Sequence, residues 1–383
     1  MNTTWEIVKL DRFFVIKKGQ TITKKDSNPG IYPVILGGRE PAYYIDKYNH
    51  TGKAIVVSRS GASAGYVSFW NEPIFVTDGF LIEPKDDVNY EFVYYLLKLK
   101  QSQLLGSQRG AAIPHVTPNL LYNVQAFFPP LPTQKQIASI LSAYDNLIEN
   151  NNKRIKILEQ MAENLYKEWF VRFRFPGHET TPFENGIPKG WKLKHVSEMG
   201  DIIGGGTPST DNEEYWNGNI PWLSPADLTD YQGVYIDKGA NNITELGLAK
   251  SSAKMMPKDT VLLSSRAPIG YVALAKNDIC TNQGFKSIVC NQSIMKPSYL
   301  YLYFKLNKSY LQSFASGATF PELSGSMVKK LKVLVPDISL LEKFDTFAKK
   351  LFEKTDVLLT QNQNLIKQRD LLLPRLMSGK LAV

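Results

Sequence analysis

The sequence predicts an α+β protein. Two β-rich globular domains, related by internal duplication, are separated along the chain by two long helices that form an antiparallel coiled coil. Three observations carry this. Residues 134–170 place Ile137, Leu141, Tyr144, Ile148, Asn151, Ile155, Leu158, Ala162, Leu165 and Trp169 at spacings of four and three, the seven-residue repeat of a coiled-coil strand. Residues 337–376 repeat it through Phe344, Ala348, Leu351, Thr355, Leu358, Asn362, Leu365, Arg369 and Leu372, at a constant offset of 207. Short β-branched and aromatic runs before each helix share landmarks in the same order, the mark of a repeated unit.

The first domain, residues 1–133, contains the runs AIVVS (54–58), GYVSFW (65–70), IFVT (74–77) and GFLIEP (79–84), separated by Gly, Asn and Pro, and these read as strands. An amphipathic helix (90–105) and a Gly- and Pro-rich loop (106–119) follow. The long helix of 134–170 contains no Pro or Gly, and Pro129, Pro130 and Pro132 stand before its start, as expected of a helix boundary. Residues 171–190 are turn-rich and aperiodic and read as a linker. The second domain, 191–336, repeats the first: WEIVKL at 5 matches WKLKHV at 191, Val57-Ser58-Arg59 matches Ser264-Ser265-Arg266, and Gly65-Tyr66-Val67 matches Gly270-Tyr271-Val272. Gly79-Phe80 likewise matches Gly284-Phe285, and the second copy is 21 residues longer near its start, around 204–228. The second long helix spans 337–376 and a tail 377–383 follows.

Each seam is too narrow to bury itself, so the helices must pair. Setting Leu141 against Leu372 makes facing residue numbers sum to 513, which brings Trp169 to Phe344, Ala162 to Leu351, Tyr144 to Arg369 and Asn151 to Asn362. Buried amides are stable when another polar group answers them, which favours this register. Phe347 and Leu359 offer a competing stripe, and Pro374 is expected to end the second helix before Leu376 can meet Ile137. About 36 residues at ~1.5 Å each cap the separation of domain centres at about 54 Å.

A net charge of +9 and pI near 9.2 lean toward a polyanionic partner. No apolar run is long enough to span a bilayer, and the start MNTTWEIVKL lacks a signal-peptide core, so the expected location is cytoplasmic, away from membrane. Cys280 and Cys290 lie outside any CxxC pattern and read as reduced, buried thiols rather than a metal site or disulfide. Phosphate-binding, nucleophile-elbow and zinc-protease motifs are missing. Asp78 with Glu83-Pro84-Lys85 resembles a nuclease Mg²⁺ set, but the second copy has Gln283 and Ile288-Val289-Cys290 there; a solvated strand end accounts for it.

Polar side chains beside glycines on inter-strand loops recur instead. Arg59 and Arg266 match across the copies; each guanidinium could fork onto a phosphate or a guanine edge, or brace its own loop. Polar loop residues that differ between copies are the candidates for reading bases: Lys24, Lys25, Arg39, Arg109 and His115 in the first domain, Thr207, Ser209, Thr210, Asn282, Gln283 and Lys286 in the second.

PPLPTQKQIASILSAYDNLIENN (129–151), LYKEWFVRFRFPG (165–177), GIPKGW (186–191), the GGTPST and YWNGNIPWLSP run (205–225), TNQGF (281–285) and LLLPRLMSGKL (371–381) together resemble the specificity subunit of type I restriction-modification systems, over essentially the whole chain. The resemblance implies two target-recognition domains, each reading half of a split sequence in double-stranded DNA. It implies a non-catalytic chain that binds no cofactor itself. Methyltransferase subunits, expected as a pair, would bring S-adenosylmethionine; restriction or motor subunits, where present, would bring ATP and Mg²⁺. The first domain departs from the pattern, reading GQTITKKDSNPGIYPVILGG where the second has its TPS and IPW landmarks. Two alternatives remain open: a coiled-coil scaffold with two protein-binding domains, and a specificity subunit serving a fused methyltransferase-nuclease.

Overall fold

The structure, a computed structural model, describes residues 5–106, 115–315 and 321–383. It divides into two compact units, Met1–Glu149 with Asn362–Val383, and Asn150–Gln361. In the first unit a four-stranded antiparallel sheet runs in the order Phe14–Lys18, Gly79–Pro84, Ala54–Ser58, Val67–Trp70. Tyr43–Ile45, Pro29–Ile35 and Phe75–Val76 form a second sheet, and Glu6–Lys9 pairs with Gln125–Phe128 as a ribbon. The central strand Ala54–Ser58 is buried throughout, as its unbroken apolar run requires. Ile55 and Val57 pack with Phe80, Ile82 and the helix residues Phe92 and Leu96; Ala54 and Val56 pack on the other face with Ile35, Ile74 and Val76.

The second unit repeats this frame: Gly200–Gly204, Lys286–Cys290, Val261–Leu263, Val272–Ala275, then a fifth strand, Tyr235–Ile236; a three-stranded sheet of Asn241–Ile243, Trp216–Leu223 and Cys280–Thr281; and the ribbon of Lys192–His195 with Lys332–Val335. The helix expected over 90–105 breaks at Lys100 into Tyr90–Leu99 and Gln101–Gly106, and its counterpart breaks at Asn307 into Pro297–Leu306 and Lys308–Ser313.

Strand pairing fixes which residues correspond, and it corrects the letter-by-letter match. The offset is 186 at Ile16 and Ile202, 188 at Val34 and Trp222, 198 at Tyr43 and Asn241, and 206 at Ile55 and Val261. The extra length of the second copy therefore lies mainly in 224–240 and 244–259, on either side of Asn241–Ile243, rather than around 204–228. Insertions in connections leave the sheets intact. Tyr32-Pro33-Val34 occupies the place of Ile220-Pro221-Trp222, so this landmark is present in the first domain in altered letters. The Gly-Phe match is off by one: Ile82 answers Ile288, so Lys286 takes the place of Phe80. Phe80 packs with Ile55 and Val57, whereas Phe285 packs with Leu223, Leu262 and Ile279, because one step along a strand reverses the face.

The first long helix spans Leu131–Tyr166 and continues into a π-helical turn, Lys167–Val171, closed by Arg172 N donating to Lys167 O at 2.8 Å. It starts three residues earlier than expected because Pro132 sits in the first turn, where no N–H is needed. In the second unit Trp169 lies 5.9 Å from Phe344, a pair from the expected register, and Ile155, Ala162, Ala348, Thr355 and Leu358 are buried. Asn151 is buried in this unit and Asn362 in the first. Phe347, on the competing stripe, is 53% exposed.

The second long helix spans Ile338–Met377 with Pro374 inside it. The expected stop does not occur: Pro374 forfeits its own i→i−4 hydrogen bond, but Leu373, Leu376 and Met377 are buried in one cluster with Ile137 and Leu141, which holds the last turn in place. Arg369 is bound by Asp145, the neighbour of Tyr144, with Oδ1 2.5 Å from Arg369 Nη1 while Oδ2 accepts from the Tyr95 hydroxyl at 2.6 Å. The segment 171–190 is no loose linker. Phe173 and Phe175 pack on Trp191 at 5.5 and 5.2 Å, and Phe183–Glu184 pairs with Ile187–Pro188, since aromatic rings of this size repay burial. Among the described residues no helix is long and apolar enough to cross a membrane.

Candidate nucleic-acid interface

In the second unit the loop after Gly200–Gly204 is pressed onto the turn at 281–284. A methyl on Gly205 would stand 2.1 Å from Asn282 O, so only glycine permits the approach. Trp222 Nε1 donates to Gly206 O at 2.9 Å, Thr207 Oγ1 donates to Gln283 Oε1, and Asn282 Oδ1 accepts from Gly284 N at 2.8 Å. Trp216 Nε1 holds Ser209 through its carbonyl at 3.0 Å, leaving Ser209 and Thr210 exposed at the loop end. Glu322 ties the rest together: its carboxylate takes Arg266 Nε at 3.0 Å and Lys286 Nζ at 3.3 Å. Burial works to raise the Glu322 carboxyl, but the hydrogen bonds and charges of Arg266 and Lys286 outweigh it and hold the group below the usual range. Thr207, Arg266, Asn282, Gln283 and Lys286 thus form one cluster.

In the first unit Arg59 Nε lies 2.8 Å from Asp78 Oδ1, a charge contact rather than an aligned hydrogen bond, and Ser60 Oγ donates to Asp78 Oδ2. Exposed His115 bridges to Ser60, and Val116 N donates to Arg59 O at 2.8 Å. Arg39 is exposed, its guanidinium 5.6 Å from the Tyr66 ring centre. Lys24 and Lys25 are exposed on the turn Lys24–Asp26 that follows the strand Phe14–Lys18. Arg109 lies outside the described residues. Asp78 and Glu83 do not form a metal set: Glu83 pairs with Lys17 at 2.7 Å, and among the described residues no group of three or more His, Cys, Asp or Glu could hold a metal.

The two arginines do not correspond. Ser58 N donates to Tyr66 O at 3.0 Å and Ser264 N to Tyr271 O at 2.9 Å; Arg59 O accepts from Val116 N and Ser265 O from Leu323 N, both at 2.8 Å. Ser265 therefore takes the place of Arg59, and Arg266 that of Ser60. Both guanidiniums are paired with a carboxylate of a neighbouring loop, Asp78 or Glu322, a bracing role between loops. Sequence reading missed Glu322, which stands at the place of His115. It also missed the cation over each matched tyrosine, Lys98 at 4.4 Å from Tyr66 and Lys308 at 3.5 Å from Tyr271. The Gly-Tyr-Val landmark was the available signal.

A family model described as the type I restriction modification DNA specificity domain matches residues 2–160 and 188–368. The specificity subunit of type I restriction enzyme MjaIX from Methanocaldococcus jannaschii is 42% identical over 180 residues, 46% of this chain and 41% of that one, so the match spans under half of either. The HindI specificity subunit from Haemophilus influenzae is 26% identical over 368 residues, 79% of this chain and 80% of that one. In fold, the chain resembles the crystal structure of a type I restriction-modification S subunit from M. genitalium, with a TM-score of 0.68 at 21% identity over 98% of this chain and 96% of that one. With two matches to one specificity domain laid over a duplicated frame, the chain belongs to the type I restriction-modification DNA specificity family.

Proposed function

We propose that the chain reads a two-part target in double-stranded DNA, one half through the loop ends of each globular domain, and directs a pair of methyltransferase subunits to it. Restriction or motor subunits join where the system has them. The observation that carries this is one strand frame presenting two polar sets: Thr207, Gln283 and Lys286 around Glu322 in one copy, and in the other Arg39 over Tyr66 with His115 against Ser60, which bonds Asp78. Base edges differ in donor and acceptor pattern, so a shared frame with unlike loop ends suits two unlike half-sequences. S-adenosylmethionine, ATP and Mg²⁺ belong in this scheme to the partners. A groove of about 590 Å³ along the helices of the second unit, lined by Arg154, Ile157, Lys350, Lys354, Val357 and Leu358, leaves Ile157 57% and Val357 54% exposed. That apolar floor, rimmed by Arg154, Lys350, Lys354 and the acidic Glu353, suits a partner subunit.

The test is to map modified bases in the host genome with and without this gene. A split motif that vanishes with the gene supports the reading. A scaffold with protein-binding domains would leave the modification pattern unchanged and show no steep salt dependence toward DNA. Gene neighbours distinguish separate partners from a fused methyltransferase-nuclease.

A further inference from the structure

Each copy holds the arginine at its loop end by the same part of the guanidinium. Arg59 N donates to Asp78 O at 3.3 Å, and Arg59 Nε lies 2.8 Å from Asp78 Oδ1. Arg266 N donates to Gly284 O at 3.3 Å, and Arg266 Nε donates to Glu322 Oε2 at 3.0 Å. The acids are fixed in turn: Ser60 Oγ donates to Asp78 Oδ2, and Lys286 Nζ donates to Glu322 Oε1 at 3.3 Å. Among the described residues, Nη1 and Nη2 of neither arginine make a hydrogen bond. The arginine side chains are 41% and 48% exposed and their acids 22% and 30%, so each guanidinium is anchored at its inner nitrogen and keeps its outer edge for solvent.

Fixing both the main chain and Nε removes in advance rotamer freedom that an arginine otherwise loses on binding. What remains is a two-donor edge in a set direction, matched to two acceptors side by side. Duplex DNA offers such acceptors as phosphate oxygens or as O6 and N7 of guanine. The carboxylate decides between them. The formal charges of Arg59 and Asp78 cancel, and Glu322, shared with Lys286, leaves a single positive charge at Arg266. A phosphate drawn to either fork would also be repelled by the acid beside it; a guanine edge carries no charge and meets no such cost. We propose that Arg59 and Arg266 each read O6 and N7 of one guanine, one in each half of the target. Asp78 and Glu322 are the positioning residues that make them base readers rather than phosphate contacts. The proposal rests on the DNA reading above and adds to it the base selected and the residues that select it.

The test places variants of the full chain in the host and maps modified bases. Arg59→Lys and Arg266→Lys keep the charge and lose the fork; each should make one G·C pair of the motif degenerate, in different halves. Asp78→Asn and Glu322→Gln keep the fork and release it, and each should relax the same pair as the arginine it holds, which a merely structural role would not single out. A second measurement needs no variant. With the wild-type chain purified from the host together with the subunits that accompany it, 7-deazaguanine, which lacks N7, is placed at each guanine of the motif in turn. Binding should weaken at one position per half by about 5-fold or more, the low end of what a bidentate pair contributes. A motif unchanged in both Lys variants would make the arginines charge contacts to phosphate and overturn the proposal, as would wild-type binding indifferent to 7-deazaguanine at every position. Relaxation by the arginine variants but not by the acid variants would overturn the role of Asp78 and Glu322. A host in which no split motif depends on the gene would remove the DNA reading itself.

Discussion

Glu322 is the residue on which the second unit's loop ends converge, and its removal has a sign that can be worked out. Its carboxyl is held below the usual range in the folded state, so it contributes stability above the unfolded carboxylate pKa, and that contribution is lost as pH falls through the depressed folded value. Wild type should therefore lose more stability than Glu322→Gln in thermal melts as pH drops below about 4. At neutral pH Glu322→Gln should free Arg266 and Lys286 from their carboxylate and strengthen binding to mixed-sequence DNA. Gly205→Ala, which forces a methyl onto Asn282 O, should cost about 1 to 3 kcal/mol by overpacking, measurable by urea titration. Burial pushes the Cys280 thiol up to about 11 and Cys290 to about 12; both should resist iodoacetamide at pH 8 until the chain is unfolded. Residue types on the loops were legible because donors beside glycines stand out. Their neutralising partners were not, since Arg266 and Glu322 are 56 positions apart and only the fold brings them together.

At the scale of elements, the coiled-coil seams were legible because a seven-residue apolar repeat sustained over five heptads suits paired helices and little else. Phe344, fully buried between Trp169, Phe170 and Tyr166 at 5.9, 4.8 and 6.2 Å, should cost about 3 to 5 kcal/mol when changed to Ala, as read from the denaturation midpoint. The register has its own check. Cysteines placed at Ala162 and Leu351 should cross-link on oxidation, while Ala162 with Phe344, one heptad away, should not. Boundaries were less legible. Pro132 and Pro374 read as stops, but proline is a poor marker where the first turn needs no N–H and the last turn is held by buried Leu373, Leu376 and Met377. Aromatics in an aperiodic stretch likewise hid the packing of Phe173 and Phe175 on Trp191.

For the molecule as a whole, the duplication was visible in the order of landmarks, whereas residue-level equivalence was not, because only strand pairing defines it. As a specificity subunit the chain is not itself the enzyme. Exchanging residues 191–336 for those of a relative should change one half of the methylated motif and leave the other, as sequencing of modified bases would show; a swap that scrambles both halves would count against independent reading. The seats of the two arginines bear on how recognition can change. One copy reads Arg59-Ser60 and the other Ser265-Arg266 over the same backbone hydrogen bonds, so the arginine stands in adjoining seats, and a different acid, Asp78 or Glu322, holds it in each. A frame that keeps its strands while its loop ends differ this freely is one on which new recognition can arise without a new fold.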